Sequence, residues 1–204
     1  MSVLATTDMH APDPLHLRDR LPYLARRGLI TRTIRAFLEA RGCMEVETPC
    51  AVPVPGEEIH LLPFSTEQET PQGEKQPLFL HTSPEFAMKR IVAATGLSVF
   101  QFARVWRNGE GSALHAPEFT MLEWYRPHMA LSGLMDETEA LLKAALPPTL
   151  TYANTTLDLS VPFERLSMQE AFARHAGVDL LPTEGDVQAL AKAAACPLRA
   201  DESW

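Results

Sequence analysis

Four side chains between residues 99 and 126 could bind a charged ligand. They are a cation, an aromatic ring, a carboxylate and a phenol, contributed by Arg107, Phe119, Glu123 and Tyr125. A guanidinium at a strand end can hold a phosphate with two hydrogen bonds, and an aromatic ring can stack on a purine. A carboxylate among apolar neighbours is costly to bury unless a cation or donors meet it. Glu123, which lies between a leucine and a tryptophan, is therefore a candidate for binding a ligand ammonium.

Each of these side chains also has a structural interpretation. Arg107 could be a solvated arginine at a strand end, which is the commoner situation across proteins. Phe119 and Tyr125 could pack in a core, and Glu123 could simply face solvent. Local sequence alone leaves both interpretations open.

Two strands would have to bring these side chains together. Residues 99–107 and 118–126 alternate apolar and polar positions, and a stretch with two glycines and a proline separates them. This pattern predicts an antiparallel hairpin. Side chains two residues apart share one face of a strand, so Arg107 converges with Phe119, Glu123 and Tyr125 if the two faces coincide.

A second cluster lies where a predicted strand, residues 78–81, meets a predicted helix that opens at Pro84. The junction exposes backbone N–H groups that have no helical partner. Ser83 and Glu85 flank the proline, and Glu85 would lie in the first turn of the helix. Glu85 has an equally good structural explanation, because acids are favoured in the first turn of any helix by its dipole.

The rest of the sequence predicts the helices and strands that surround these two clusters. Residues 1–24 are expected to be a disordered lead-in, and residues 25–204 the folded region that carries both clusters. A helix is predicted over 29–41, ended by Gly42, then a strand over 43–48, and a later helix over about 132–146. Residues 65–77 are polar and are expected to form an exposed hairpin tip or loop. Ser167 with Glu170, and Thr183 with Asp186, are predicted to cap two short helices near the end.

Composition excludes several classes of function. The net charge of −8 over 204 residues argues against broad nucleic-acid binding. Three cysteines without a CxxC pair are typical of a protein in a reducing compartment. The histidines do not occur in an HExxH spacing, so we do not expect a zinc site of that type. The sequence has no signal-peptide pattern or membrane-length apolar run, so we expect a cytoplasmic protein. Ser-elbow, GxGxxG and Walker-type loops are missing as well, which disfavours acyl hydrolysis and the two common nucleotide-binding loops.

Four sequence segments together resemble one family. They are the helix–strand stretch up to Pro49, then TSPEFAMKR, FARVWRN and HAPEFTMLEWY. These segments resemble the class II aminoacyl-tRNA synthetase core in its lysyl branch, with motif 1 ending at Pro49 and motif 2 over 100–126. The continuation EWYRPH, and the lack of an anticodon-binding barrel before residue 29, are more specifically similar to the elongation factor P (R)-β-lysine ligase family. The similarity runs from about residue 25 to the end, and it implies that residues 25–204 are the N-terminal part of a class II synthetase-like catalytic domain.

The resemblance implies a nucleotide site on the hairpin. Arg107 would be the catalytic residue, binding the α-phosphate of ATP and stabilising charge while the substrate carboxylate attacks it. Phe119 would stack on adenine. The other residues implied to bind ATP are Asn108, Glu110 and His115.

The resemblance also implies a site for lysine or (R)-β-lysine. Glu85 would meet the amine nearer the carboxylate, and Glu123 with Tyr125 would meet the far amine. Ser83 and Pro84 would shape that wall. Two separated carboxylates would select a diamino acid, because a missing ammonium leaves one of them unpaired. The adenylate formed there would then be attacked by the amine of a lysine side chain on elongation factor P.

The implied fold is α+β, an antiparallel class II sheet flanked by helices and incomplete in this sequence. Motif 3 is absent, and with it the carboxylates expected to hold Mg²⁺. Two family positions also differ, since Gly109 stands where a glutamate is usual and Ala116 where an asparagine is usual. We therefore expect no ATP–pyrophosphate exchange from the 204 residues alone.

Three interpretations of the resemblance stay open. The sequence could be the N-terminal portion of a β-lysine ligase, or a non-catalytic relative that binds a partner through the surface of motif 1 and its helix. It could also be part of a lysyl-tRNA synthetase, which the missing barrel and the acidic charge disfavour. A homodimer through motif 1 is implied in the family, whereas tRNA and membrane partners are not expected.

Overall fold

The computed structural model describes residues 14–56, 58–112 and 114–198. These residues divide into two compact units between Asp158 and Leu159. The helices are α1 (Pro14–Glu39), α2 (Glu85–Thr95), α3 (Leu131–Ala145), α4 (Met168–Ala176) and α5 (Val187–Ala194). The strands are β1 (Met44–Glu45), β2 (Ala51–Val52), β3 (Phe64–Glu69), β4 (Lys75–Leu80), β5 (Val99–Trp106), β6 (Glu118–Tyr125), β7 (Thr149–Tyr152) and β8 (Thr155–Asp158).

The first helix is longer than the sequence predicts. It begins at Pro14 rather than at residue 29, so residues 14–24 of the expected disordered lead-in are helical, and residues 1–13 lie outside the described residues. Residues 18–27 are exposed on all sides. No apolar stripe marks this half of α1, and hydrophobic periodicity therefore could not reveal it. At the other end, Gly42 adopts a left-handed conformation with φ 78°, and the predicted glycine end to the helix is confirmed.

The central sheet has the strand order β1–β5–β6. Strands β5 and β6 form the predicted antiparallel hairpin, with Gln101 opposite Glu123 and Val105 opposite Phe119. The predicted strand over 43–48 is reduced to β1, which lies parallel to β5. Helices and a largely antiparallel sheet give the α+β architecture that the sequence predicts.

A second, smaller sheet has the order β2–β4–β3 and is antiparallel throughout. Residues 65–77, expected as an exposed hairpin tip or loop, are most of the β3–β4 hairpin and its turn. The isolated bridge between Leu62 and Asn108 links the approach to this sheet with the end of β5. The β7–β8 hairpin stands as a separate pair of strands.

The apolar core of the first unit lies on one face of the central sheet. It contains the buried side chains of Leu38, Cys43, Phe100 and Leu141, from α1, the loop after it, β5 and α3. The register places Glu123 and Tyr125 on the other face, because side chains alternate along a strand. That face also carries the buried side chains of Val99 and Val105, so it contributes both to packing and to the candidate site.

The second unit contains α4, a single 3₁₀ turn and α5. The predicted capping box at α4 is confirmed, since Ser167 accepts from the Glu170 backbone N–H and Glu170 accepts from the Ser167 backbone N–H. The second predicted box is wrong in detail. Asp186 itself is the N-cap of α5 and accepts from Ala189 N–H, because an Asx side chain one residue before the helix reaches its N3 amide.

Within the described ranges, the helices are all too short or too polar to cross a membrane.

Candidate functional site

Glu123 is the centre of the site. The Ser83 hydroxyl donates to Oε1 of this carboxylate at 2.6 Å, and the Tyr125 hydroxyl donates to Oε2 at 2.8 Å. Both donors were singled out from the sequence, and the structure brings them to opposite oxygens of the same carboxylate. Two hydrogen-bond donors hold the carboxylate in one orientation and offset part of the cost of its partial burial.

The junction between β4 and α2 positions Ser83. His81 is buried and its Nε2 lies 2.7 Å from the Arg104 carbonyl oxygen, while its own carbonyl accepts from Trp106 N–H at 3.1 Å. These bonds tie the end of β4 to β5. Pro84, fully buried, is the N-cap of α2, and the Ser83 hydroxyl also accepts from the Glu85 backbone N–H at 3.0 Å.

The second candidate carboxylate, Glu85, lies in the first turn of α2 and forms an ion pair with Lys89 one turn later. The structural interpretation of Glu85 therefore has support, because an i,i+4 acid–base pair at a helix start is common. The hydrogen bond and the charge of Glu85 raise the pKa of Lys89, and the charge of Glu123 raises it further. The ammonium thus lies within the field of both carboxylates.

A cavity of about 400 Å³ joins these groups. It opens along β6, between α2 on one side and α3 on the other, and it is large enough for an amino acid. The residues that line it are Glu85, Lys89, Leu122, Glu123, Trp124, Tyr125, Leu134 and Thr138.

The Tyr125 phenol keeps its proton over the whole physiological pH range and can therefore act as a hydrogen-bond donor throughout. Burial is the main reason that its pKa is raised, and the hydrogen bond and charge of Glu123 raise it further. A neutral phenol can donate to the carboxylate without adding a second negative charge. The Glu123–Tyr125 pair therefore offers one net negative charge to a ligand.

The predicted nucleotide side of the hairpin is formed by Arg107 and Phe119. The guanidinium carbon of Arg107 lies 5.2 Å from the centre of the Phe119 ring, a cation–π contact. Its Nε is buried and has no hydrogen-bond partner among the described residues. An unpaired buried guanidinium donor suits an anionic ligand such as a phosphate. Phe119 precedes Glu123 by four residues on the same face, a distance of about 13 Å along the strand.

The loop after β5 carries the other predicted nucleotide contacts. Glu110 and His115 line a separate cavity of about 360 Å³, together with glycine and serine residues of the loop. Nδ1 of His115 lies 3.1 Å from the Ser112 hydroxyl. Asn108 does not line this cavity; its backbone N–H donates to the Leu62 carbonyl and its Oδ1 accepts from the adjacent Gly109 N–H. The structure therefore groups Glu110 with His115 and leaves Asn108 out of this cavity.

The described ranges hold no cluster of three or more His, Cys, Asp or Glu side chains arranged to hold a metal ion.

Sequence reasoning missed two neighbours of Glu123. Lys89 lines the cavity, and its spacing of four residues from Glu85 on a predicted helix was a usable signal. Gln101, buried and directly opposite Glu123 in the register, accepts from the Thr48 hydroxyl at 3.0 Å. Its position depends on the exact strand register, which alternation alone does not fix.

The hairpin, the helix junction and the grouped charges define a class II aminoacyl-tRNA synthetase-like domain. Residues 18–193 match the family of class II tRNA synthetases for D, K and N, and the chain belongs to this family.

Within that family, the chain is similar in sequence to proteins that share one name. The chain is 43% identical over 176 residues to proteins named elongation factor P–(R)-β-lysine ligase from Salmonella arizonae and Salmonella paratyphi B. A protein of the same name from Salmonella heidelberg is 44% identical over 177 residues. In each case the match includes 86% of this chain and 50% of the relative. The chain therefore spans about half the length of these curated relatives.

Proposed function

We propose that this chain carries the lysine-binding wall of an ATP-dependent ligase that modifies elongation factor P. The observation that carries the proposal is the Glu123 carboxylate, held between Ser83 and Tyr125 at a cavity that also contains Glu85. A diamino acid is the simplest ligand that satisfies two carboxylates. The names of the relatives support (R)-β-lysine or lysine as that ligand and elongation factor P as the acceptor.

The proposed first step joins the substrate carboxylate to ATP. A carboxylate oxygen attacks the α-phosphorus, the bond to the β-phosphate oxygen breaks, and pyrophosphate leaves with the electron pair. Arg107 stabilises the charge that develops on the α-phosphate, and Phe119 stacks on the adenine. The Nε of Arg107 is buried and has no hydrogen-bond partner among the described residues, which supports this role. Glu110 and His115 are proposed to bind the nucleotide from the loop, and Asn108 to hold the loop in place.

The proposed second step transfers the lysyl group. The ε-amine of a lysine on elongation factor P attacks the carbonyl carbon of the adenylate, AMP leaves, and the attacking nitrogen loses a proton as the amide forms. Neither step needs a covalent nucleophile from the protein, because positioning and charge stabilisation lower the barrier. Mg²⁺ is proposed as the counter-ion of the ATP phosphates. None of the described residues is assigned as its ligand. The acidic chain, with a net charge of −8, is not proposed to bind tRNA, and a cytoplasmic location is part of the same proposal.

ATP–pyrophosphate exchange tests this proposal. The exchange rate is measured with (R)-β-lysine and with α-lysine, on the 204-residue chain and on any longer product of the same reading frame. We expect exchange with a lysine isomer in the product that carries the complete nucleotide site, and loss of that exchange in a Glu123→Gln variant. A catalytic product that accepts neither isomer would contradict the proposal. A preference for tRNA over elongation factor P as the acceptor would favour a lysyl-tRNA synthetase instead.

A binding role has one specific observation in its favour. Leu21, Tyr23, Leu24 and Leu29 are exposed apolar side chains on different sides of α1, and burial of some of them against another protein would be favourable. We propose that α1 and the neighbouring β1 form a homodimer contact. Sedimentation equilibrium of the chain and of a Tyr23→Glu, Leu24→Glu double variant tests it, and a monomer in both samples would contradict the dimer.

A further inference from the structure

Lys89 gives the candidate lysine site a third charge. Its ammonium lines the same cavity as Glu85 and Glu123 and forms an ion pair with Glu85. The cavity therefore contains two carboxylates and one ammonium. A diamino monocarboxylic acid carries the inverse set, two ammonium groups and one carboxylate. This match of three charges goes beyond the two-carboxylate argument, which treats the ligand only as a diamine.

The local geometry leaves Lys89 free to respond to a ligand. Its side chain is 57% exposed, and Glu85 is its partner in the described structure. Glu123, in contrast, already has two fixed donors, from Ser83 and Tyr125. An ammonium from a ligand that approaches Oε1 of Glu85 shares or displaces the Lys89 contact. The displaced lysine then stands beside the ligand with its charge unpaired.

We propose that Lys89 is a specificity-determining residue that makes the site prefer diamines bearing a carboxylate over diamines without one. The inference rests on the proposed lysine site and deepens it. A ligand carboxylate next to the amine supplies Lys89 with a counter-charge when Glu85 turns to the ligand ammonium. A plain diamine brings a second cation toward Lys89 instead, and like charges at close range are unfavourable.

The test compares L-lysine with pentane-1,5-diamine, which has the same two amines at the same spacing and no carboxylate. Dissociation constants are measured by titration calorimetry for the full chain at one ionic strength. In Lys89→Met we expect the preference for lysine over the diamine to fall about tenfold, which corresponds to about 1.4 kcal/mol. Lys89→Arg keeps the cation and should restore the preference.

The matched control is Lys143→Met on α3. Lys143 forms the same type of i,i+4 pair, with Glu139 at 2.7 Å, and does not line the cavity. This variant should keep the wild-type preference. Circular dichroism of each variant shows whether it is folded, and an exposed position such as Lys89 is expected to tolerate the substitution.

Two outcomes separate this inference from the proposal beneath it. If the wild-type chain binds lysine but not norleucine, and the preference is the same in Lys89→Met, the lysine site stands and the role of Lys89 is wrong. If the wild-type chain binds neither lysine nor the diamine, both the lysine site and the role of Lys89 are wrong. A preference that falls equally in Lys143→Met would also overturn the role of Lys89, since the effect would then reflect net charge.

Discussion

The Tyr125 hydroxyl donates a 2.8 Å hydrogen bond to the Glu123 carboxylate, two residues earlier on the same face of β6. The strand geometry itself makes this pair possible, because side chains at i and i+2 project from one side of a strand. The carboxylate is therefore oriented by its own strand and by Ser83 from the helix junction. The candidate site depends on the correct docking of α2 as well as on the hairpin.

Replacing Tyr125 by phenylalanine should weaken lysine binding about tenfold, because a hydrogen bond to a charged group contributes about 1.5–3 kcal/mol. The phenyl ring keeps the packing, but the lost hydrogen bond to the Glu123 carboxylate should also lower the free energy of unfolding by about 1.5–3 kcal/mol. Calorimetric titration with lysine measures the effect. Tyr152→Phe on β7, where the side chain is 80% exposed, is the control and should leave the affinity unchanged. Equal affinities in all three proteins would rule out a role for the hydroxyl in orienting Glu123.

Replacing Glu123 by glutamine should remove the preference for lysine over norleucine. The amide keeps the size and one acceptor oxygen, but it loses the charge that a ligand ammonium pairs with. The two dissociation constants, measured in the same buffer, should converge to within about threefold. The control is Glu67→Gln, which removes a carboxylate from an exposed pair with Lys75 on the β3–β4 hairpin. A Glu123→Gln variant that still discriminates against norleucine would place the ammonium site elsewhere.

Arg107 and Arg104 provide a matched pair for the nucleotide. Lysine in place of Arg107 keeps a positive charge but loses the planar fork and the contact with Phe119, so ATP affinity should fall at least about tenfold. Arg104→Lys, on β5 three residues before Arg107, changes an exposed arginine whose partner is Glu118, at 3.6 Å. Equilibrium dialysis with ATP checks both. Similar losses in the two variants would mean that the nucleotide responds to overall charge and not to Arg107.

The hairpin and its register could be predicted further than the rest of the chain. Alternation along β5 and β6 identified both strands, and the cost of an unpaired carboxylate drew attention to Glu123. The structure confirms that the two faces coincide, with Val105 opposite Phe119. The functional roles assigned to the site residues stay predictions, which the variants above are designed to test.

Other features could not be read from the sequence, for identifiable reasons. The first half of α1 has no apolar face, so only its helix formers could have suggested a start at Pro14. The spacing of Lys89 from Glu85 could indicate an i,i+4 pair, but it could not show that Lys89 lines a cavity, because a charged residue on a helix is ordinarily solvated. Gln101 depends on register and on the distant Thr48, and neither is visible in local spacing. Local patterns predict elements, whereas the partners of a buried polar group are set by tertiary structure.

The buried ion pair between Arg126 and Glu137 should matter strongly for stability. Nη2 of Arg126 lies 3.3 Å from Oε2 of Glu137, and the two side chains are only 15% and 5% exposed. Glu137→Gln leaves the guanidinium without its counter-charge, which costs about 3–5 kcal/mol in a buried pair. Urea unfolding measures the loss. In the exposed control pair, Glu67→Gln should cost less than about 1 kcal/mol. A loss from Glu137→Gln as small as that from Glu67→Gln would show that water reaches the Arg126 pair.

Alkaline pH should destabilise the fold through the buried thiol of Cys43 and the half-buried phenol of Tyr125. Burial raises the pKa of the Cys43 thiol above its usual value of 9.0, with the positive charge of Arg126 opposing only part of that shift. Burial and Glu123 raise the pKa of Tyr125 above its usual value of 10.0. The unfolded chain therefore releases these protons at lower pH than the native chain does. Stability from both groups is complete below about pH 9 and falls as the pH rises further.

Single variants separate the two contributions. Cys43→Ala should reduce the fall in the free energy of unfolding that begins at about pH 9. Tyr125→Phe should reduce the fall that begins at about pH 10. The measurement is the urea-unfolding free energy at a series of pH values in the presence of a reducing agent. Each variant is compared with its own value at pH 7, because Cys43→Ala also leaves a small cavity in the core. If the wild-type and Cys43→Ala curves decline in parallel from neutral to alkaline pH, the buried thiol is not the source of the first decline.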